Sequence, residues 1–135
     1  MDSAQIQERA ARSPFGASLG LQVKLLEVHE GGTRLVLRMP MRAHLCRSVE
    51  SEQFHGGAIA TFIDMAGVYA VAATAGTPPP TIHLSVDYLA AATGEWIEAT
   101  ATVRRQGRRV STVDVDVVRP DGALVALGRA SFMLG

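Results

Sequence analysis

His55-Gly56-Gly57, followed by Ala58-Ile59-Ala60-Thr61-Phe62-Ile63-Asp64-Met65-Ala66-Gly67-Val68-Tyr69-Ala70-Val71-Ala72-Ala73-Thr74-Ala75, is the stretch that decides the fold. The run from Ala58 to Ala75 contains no proline and a single charge, Asp64. Its composition predicts a helix apolar on nearly every side, and such a helix is buried in a protein core or in a membrane. The length approaches that of a membrane span. Its many Ala and Gly residues, with a carboxylate in the first half, argue instead for a central helix wrapped by the rest of the chain.

Asp64 then has two readings, because an unpaired ionised carboxylate in apolar surroundings costs several kcal/mol or more. In one it holds backbone N–H groups of a neighbouring loop. In the other it lines a pocket and does chemistry. Gly56 and Gly57 bear on the choice. The first turn of a helix carries N–H groups without partners and partial positive charge. Residues without Cβ let a ligand approach those donors, which suits an anion or a carbonyl becoming an oxyanion. The glycines also serve simply to turn the chain into the helix. From Gly56 to Asp64 the helix rises about 12 Å, whereas a reacting carbonyl must lie within about 3 Å of both its donor and its attacker. If both groups are catalytic, the Asp must come from a second copy of the helix, most simply in a two-fold dimer.

The remaining composition narrows the classes. With 135 residues the chain fits one domain, 1–135, of which 1–16 form an N-terminal helix and linker. Lys plus Arg equals Asp plus Glu at 13 each, so no global field points to nucleic acid or a membrane surface. The one cysteine, Cys46, allows neither an intrachain disulfide nor a cysteine metal cluster, and neither a metal nor a cofactor is expected. The N-terminus lacks a basic-then-apolar signal pattern, so a cytoplasmic location is expected.

In chain order, Ser3 to Arg12 reads as a short polar helix, capped by Ser3, with Ile6 and Ala10 as a thin apolar stripe and Pro14 and Gly16 ending it. Leu19 to Glu30 alternates like a strand, with a phase shift near Leu25 that suggests a bulge. Gly31-Gly32 turns the chain, and a second strand carries Leu35, Leu37 and Met39. Residues 40–54 have no period and lead into His55, with Ser48, Glu50, Ser51 and Gln53 as polar candidates for touching a ligand. Pro78-Pro79-Pro80 stops the central helix. Four further strands follow, separated by turns at Gly94, Gln106-Gly107-Arg108-Arg109 and Pro120-Asp121-Gly122. Six strands with one apolar face and one all-apolar helix predict an α+β fold, an antiparallel sheet wrapped around that helix. Arg104, Arg105, Arg108 and Arg109 gather at one turn, either as a solvated hairpin tip or as a phosphate site.

Strand, strand, central helix and four strands, with His-Gly-Gly opening the helix and an Asp two to three turns in, resembles the hotdog-fold thioesterases, most closely the phenylacetate-pathway (PaaI-like) acyl-CoA thioesterases. The resemblance runs over residues 17–134. It is carried by His55-Gly56-Gly57-Ala58 with Asp64, by Val86-Asp87-Tyr88-Leu89, and by the Asp121-Gly122 turn before Ala126-Leu127-Gly128. It implies a homodimer joined sheet edge to sheet edge, in some members paired again into tetramers, with each site between two chains. The resemblance places the thioester carbonyl on the backbone N–H of Gly56, with His55 shaping that loop. Asp64 of the other chain is then nucleophile or general base, and Thr81 assists the water. Gly57 and Gln53 border the substrate, and Arg105, Arg108 and Arg109 meet the CoA phosphates. Val49 stands where the family commonly has Asn or Gln.

Hydrolysis of an acyl-CoA thioester to a free acid and CoA is therefore the leading expectation. A non-catalytic acyl-CoA-binding or sensing protein is the alternative, kept open by Val49. A hotdog dehydratase or hydratase would need a different His–acid arrangement. Phe15, Leu19, Phe62, Val68 and Tyr69 are expected to bear on the length of the acyl pocket.

Overall fold

The computed structural model describes all residues from Met1 to Gly135. Helices α1 (Ser3–Arg12) and α2 (Pro14–Leu19) precede strands β1 (Gln22–His29) and β2 (Gly32–Pro40). A loop with one 3-10 turn, Ala43–Leu45, leads to the long helix α3 (Gly56–Ala75). Strands β3 (Thr81–Tyr88), β4 (Trp96–Gln106), β5 (Val110–Val118) and β6 (Leu124–Met133) complete the chain. The six strands form one sheet in the order β1-β2-β4-β5-β6-β3, every neighbouring pair antiparallel. The α+β hotdog architecture expected from the sequence is thus the one observed. The strand that follows the helix, β3, lies at the far edge beside β6, which leaves its other side open.

The sheet's inner face explains its alternation. Leu35, Leu37 and Met39 of β2, Ile97, Ala99 and Ala101 of β4, Val113, Val115 and Val117 of β5, and Ala130 and Phe132 of β6 are all buried. They meet Phe62, Ile63, Ala66, Ala70 and Val71 of α3 in a single core cluster. Close approach of helix to sheet depends on two glycines: a Cβ on Gly67 would lie 2.8 Å from Phe132, and one on Gly128 would lie 2.7 Å from the Ser85 carbonyl and 2.8 Å from Ile63. The one segment long and apolar enough for a bilayer, Gly56–Ala75, forms the core of this fold.

Burial of α3 is less uniform than its composition implies. Nine of its residues are buried, but Gly57, Ala60, Thr61, Asp64 and Val68 are not. Their three-to-four-residue spacing puts them on one face. Asp64 therefore lies on the face of the helix that the sheet leaves partly uncovered.

The N-terminal region differs from expectation. Asp2, not Ser3, caps α1: its carboxylate accepts from the Gln5 N–H at 2.9 Å while Gln5 Oε1 accepts from the Asp2 N–H at 2.9 Å. The first helix ends at Arg12, just before Pro14, as expected; what was not expected is that Pro14 then opens a second helix, α2, with Ser13 as its N-cap. Proline fits the first helical position because its missing N–H would be unpaired there anyway. Leu19 belongs to α2, and β1 starts only at Gln22. The bulge anticipated near Leu25 is present, between Val23 and Leu25.

Candidate active site

The opening turn of α3 is held from several sides. His55 is its N-cap, with extended backbone (φ −61°, ψ 140°), and its Nδ1 accepts the Gly57 N–H at 2.8 Å. Its carbonyl accepts the Ile59 N–H at 3.1 Å, and its own N–H donates to Leu45 at 2.7 Å. The preceding loop is pinned by a bridge between Cys46 and Phe54 and by the Phe54 N–H to Ala92 bond of 2.9 Å. With Gly57 engaged by the cap and Ile59 by the His55 carbonyl, the Gly56 and Ala58 amides are the two first-turn donors with no acceptor within the chain.

A cleft of about 540 Å³ opens at this turn. Phe54, Ile59, Tyr88 and the small side chains of Ala90 to Ala92 form its apolar wall, and Arg47 and Gln53 its polar rim beside His55 and Gly56. Tyr88 closes one side: its hydroxyl donates to the Gly56 carbonyl at 2.6 Å. An unpaired amide at the foot of an apolar cleft can polarise a carbonyl and hold the oxyanion that develops on it.

Asp64 does not line this cleft. Its Oδ1 accepts the Thr81 hydroxyl at 2.8 Å, and no backbone N–H donates to it. Thr81 reaches it because β3 carries a bulge between Thr81 and His83. The extra residue shifts the phase, so Thr81 turns toward α3 just as Leu84, Val86 and Tyr88 do. One edge strand thus touches α3 at two points, through Thr81 at Asp64 and through Tyr88 at Gly56.

The other expected site residues are dispersed. Gln53 joins His55 and Gly56 at the cleft. Gly57 lies exposed beside it. Val49 is fully exposed on the loop and, like Ser48 and Glu50, stays outside the cleft of its own chain. Arg105, Arg108 and Arg109 line a shallow depression with Thr112, and no carboxylate lies within ion-pair reach of them. Arg104 instead pairs with Asp114 at 3.5 Å. The Thr74 hydroxyl donates to Gln106 at 2.6 Å, so this arginine turn stands at the C-terminal end of α3, far from Gly56. Of the residues expected to bear on acyl-pocket length, Leu19, Phe62 and Tyr69 are buried in the core and Phe15 is exposed on α2. The wall is made by Phe54 and Ile59 instead. Tyr88 and Arg47 are cleft residues that the sequence did not mark as part of the site, and the contact of Tyr88 with Gly56 spans 32 positions of the chain.

The sequence and the fold have counterparts in known proteins. The thioesterase superfamily model matches residues 53–126, which span the cleft, α3 and the strands through most of β6's first half. A solved structure from the thioesterase superfamily shares 39% sequence identity, with 98% of each chain covered and a TM-score of 0.87. The medium/long-chain acyl-CoA thioesterase YigI of Escherichia coli K12 is 26% identical over 137 residues, covering 90% of this chain and 86% of YigI. The Escherichia coli PaaI protein of the phenylacetic acid degradation operon matches in fold at a TM-score of 0.74 and 23% identity, with 97% and 92% of the two chains covered. Since the family model spans more than half of the sequence and begins at the very residues that build the cleft, the chain belongs to the thioesterase superfamily, a thioester hydrolase on the hotdog fold.

Proposed function

We propose that the protein hydrolyses acyl-CoA thioesters to a free acid and CoA, in sites each built by two copies of the chain. The observation that carries this reading is the separation of two chemically matched halves on one rigid helix: a free Gly56 amide in a cleft, and a Thr81-oriented carboxylate at Asp64 on the uncovered face. They lie about 12 Å apart along the axis, so neither half completes the other within one chain.

In this mechanism the thioester carbonyl accepts the Gly56 N–H of one copy. Asp64 of the other copy takes a proton from water as the oxygen attacks the carbonyl carbon, and the amide holds the resulting oxyanion. Collapse of the intermediate breaks the C–S bond, and the thiolate leaves and recovers the proton. Alternatively, Asp64 attacks directly and forms an anhydride that water hydrolyses. Both routes need only one donor and one ionised carboxylate, because a thiolate is a good leaving group. The hydroxyl of Thr81 fixes the carboxylate and has lone pairs left for the water.

The arginine turn supports a division of labour. It adjoins the C-terminal end of α3, so in an antiparallel pair of helices Arg105, Arg108 and Arg109 accompany the acid rather than the amide of the same chain. There they serve the CoA phosphates, which arginine recognises well. The relative YigI acts on medium- and long-chain acyl-CoA, and the apolar wall of Phe54, Ile59 and Ala90 to Ala92 accords with an aliphatic acyl group.

The test is thiol release across a panel of acyl-CoA esters, from short to long chain and aromatic, by the wild type and by Asp64→Asn and Asp64→Ala. Both variants are expected to lose at least ~100-fold in kcat, the scale for a positioned acid–base group. A folded Asp64→Ala protein with near-normal turnover would remove the mechanism. Val49, turned to solvent where the family commonly has Asn or Gln, favours one second reading, a non-catalytic acyl-CoA sensor. Tight binding by calorimetry with no thiol release on any ester would establish that reading instead.

A further inference from the structure

We propose that Tyr88 is a positioning residue, which acts through the Gly56–Gly57 peptide group to hold His55 in one tautomer beside the cleft. Three groups stand in a row. The Tyr88 hydroxyl donates to the Gly56 carbonyl at 2.6 Å. That carbonyl shares its peptide group with the Gly57 N–H, which donates to His55 Nδ1 at 2.8 Å. Hydrogen bonds in such a chain polarise one another: a donor on the C=O strengthens the N–H of the same peptide. His55 Nδ1 is an acceptor here, so the ring proton of the neutral imidazole sits on Nε2. These bonds thus leave His55 with a fixed N–H at the cleft rim, next to the free Gly56 amide.

The arrangement is built rather than incidental. Tyr88 is the last residue of β3, while the turn it touches lies 32 positions earlier in the chain. Its ring also packs on Gly56: a Cβ placed there would sit 3.4 Å from Cζ and from the hydroxyl. The phenol is not needed for burial, since Tyr88 remains 54% exposed. A phenylalanine would fill the same wall. What only tyrosine supplies is the proton on the Gly56 carbonyl.

The decisive variant is Tyr88→Phe, which keeps the ring and removes the donor. Three readouts are compared with the wild type. Histidine labelled with 15N reports which ring nitrogen of His55 carries the proton, with His55→Gln to assign the signal. Amide hydrogen exchange reports the Gly57 N–H against interior amides of α3 such as that of Ile63. Steady-state thiol release reports kcat and KM. In Tyr88→Phe, the Nδ1-protonated tautomer of His55 gains population, and Gly57 exchange accelerates about two- to tenfold while Ile63 is unchanged, the range for one net hydrogen bond. By the same measure kcat falls about two- to tenfold with KM nearly constant. Unchanged tautomer and unchanged Gly57 exchange would overturn the proposal, as would acceleration spread evenly along α3, which would mean a general loss of stability. The kinetic arm rests on the thioesterase reading, but the two spectroscopic arms do not. A wild type that releases no thiol yet shows the tautomer change therefore sinks that reading and leaves the Tyr88 relay standing.

Discussion

A mixed-chain experiment tests the shared site most directly, and the structure supplies an unusually clean variant for it. Gly56→Pro deletes the proposed oxyanion donor and little else. Position 56 is the first residue of α3, where proline is favoured. His55, which precedes it, has φ −61° and ψ 140°, the extended conformation that a following proline demands. The nearest atoms that a Cβ at 56 would meet belong to Tyr88, at 3.4–3.5 Å. Losing one such donor costs about 10²- to 10³-fold in kcat, and Asp64→Ala costs at least ~100-fold, so each homodimer alone retains about 1% or less. When the two variants are unfolded together and refolded at equal ratio, random pairing makes about half of the dimers mixed. In a mixed dimer one site carries both lesions and the other carries neither. About a quarter of wild-type activity should therefore return, far above either parent. The assay is thiol release on the refolded mixture, with sedimentation confirming the dimer. Recovery no greater than the average of the two parents would refute the reasoning, because it would mean that amide and acid act within one chain or that one of them does not act.

Two further outcomes follow from features remote from the site. Ser111 is fully buried and its hydroxyl has no partner, so Ser111→Ala is expected to raise stability by about 1 kcal/mol. Calorimetry should show Tm rising by about 3–5 °C, and a fall would mean that the hydroxyl is satisfied. Asp114 is held below the ordinary carboxylate range, first by its hydrogen bond from Arg129 and further by the charges of Arg129 and Arg104, against opposing desolvation. A folded-state value below the unfolded one gives stability that is present above about pH 3.9 and lost as pH falls through the folded value. Asp114→Asn should thus lower the urea midpoint slightly near neutral pH, and the gap from wild type should close in acid. A gap that widens in acid contradicts the pairing.

Much of this fold is legible in the sequence because it is written in short-range patterns. The alternation of Val113, Val115 and Val117 against Asp114 and Asp116 marks one buried face and one wet face, and the observed burial follows it residue by residue. Gly76 and the three prolines after it end α3 where the pattern stops. The second helix is hidden because one residue type serves opposite ends of a helix. Pro14 and Gly16 read as a stop, and α1 does stop before them, but a helix start tolerates Pro equally, and Gly16 is needed in α2 because a Cβ there would meet the Ala10 carbonyl at 2.5 Å. At the site, His55, Gly56 and Asp64 were found through their spacing within one segment. Tyr88 was not, since the alternation of β3 placed it with Leu84 and Val86 on the core face. Only the tertiary arrangement shows that the strand outruns the core there and brings the phenol to Gly56. The bulge that turns Thr81 toward Asp64 has no local signature either.

The edge strand gives a second argument for the shared site, independent of the rise of the helix. Thr81, at the start of β3, orients Asp64, and Tyr88, at its end, steadies the turn of Gly56. The strand spans about 24 Å between them. Its outer edge is unpaired in the sheet order, and Ile82, Tyr88 and Leu89 are 50%, 54% and 53% exposed along it. An open edge bearing apolar side chains is a template for pairing with another strand. If the partner is the same strand related by a two-fold axis near Ser85, the pairing is antiparallel, and the start of each β3 lies beside the end of the other. That operation alone carries the acid of one copy to the amide of its mate. It also makes register part of the chemistry, because a slip of two residues along the edge displaces acid and amide by about 7 Å. A substitution such as Val86→Pro should therefore weaken dimer and turnover together, because the Leu89 N–H faces β6 and the alternation turns the Val86 N–H to the open edge. A monomeric Val86→Pro protein that still released thiol would show that the halves of the site never needed to meet.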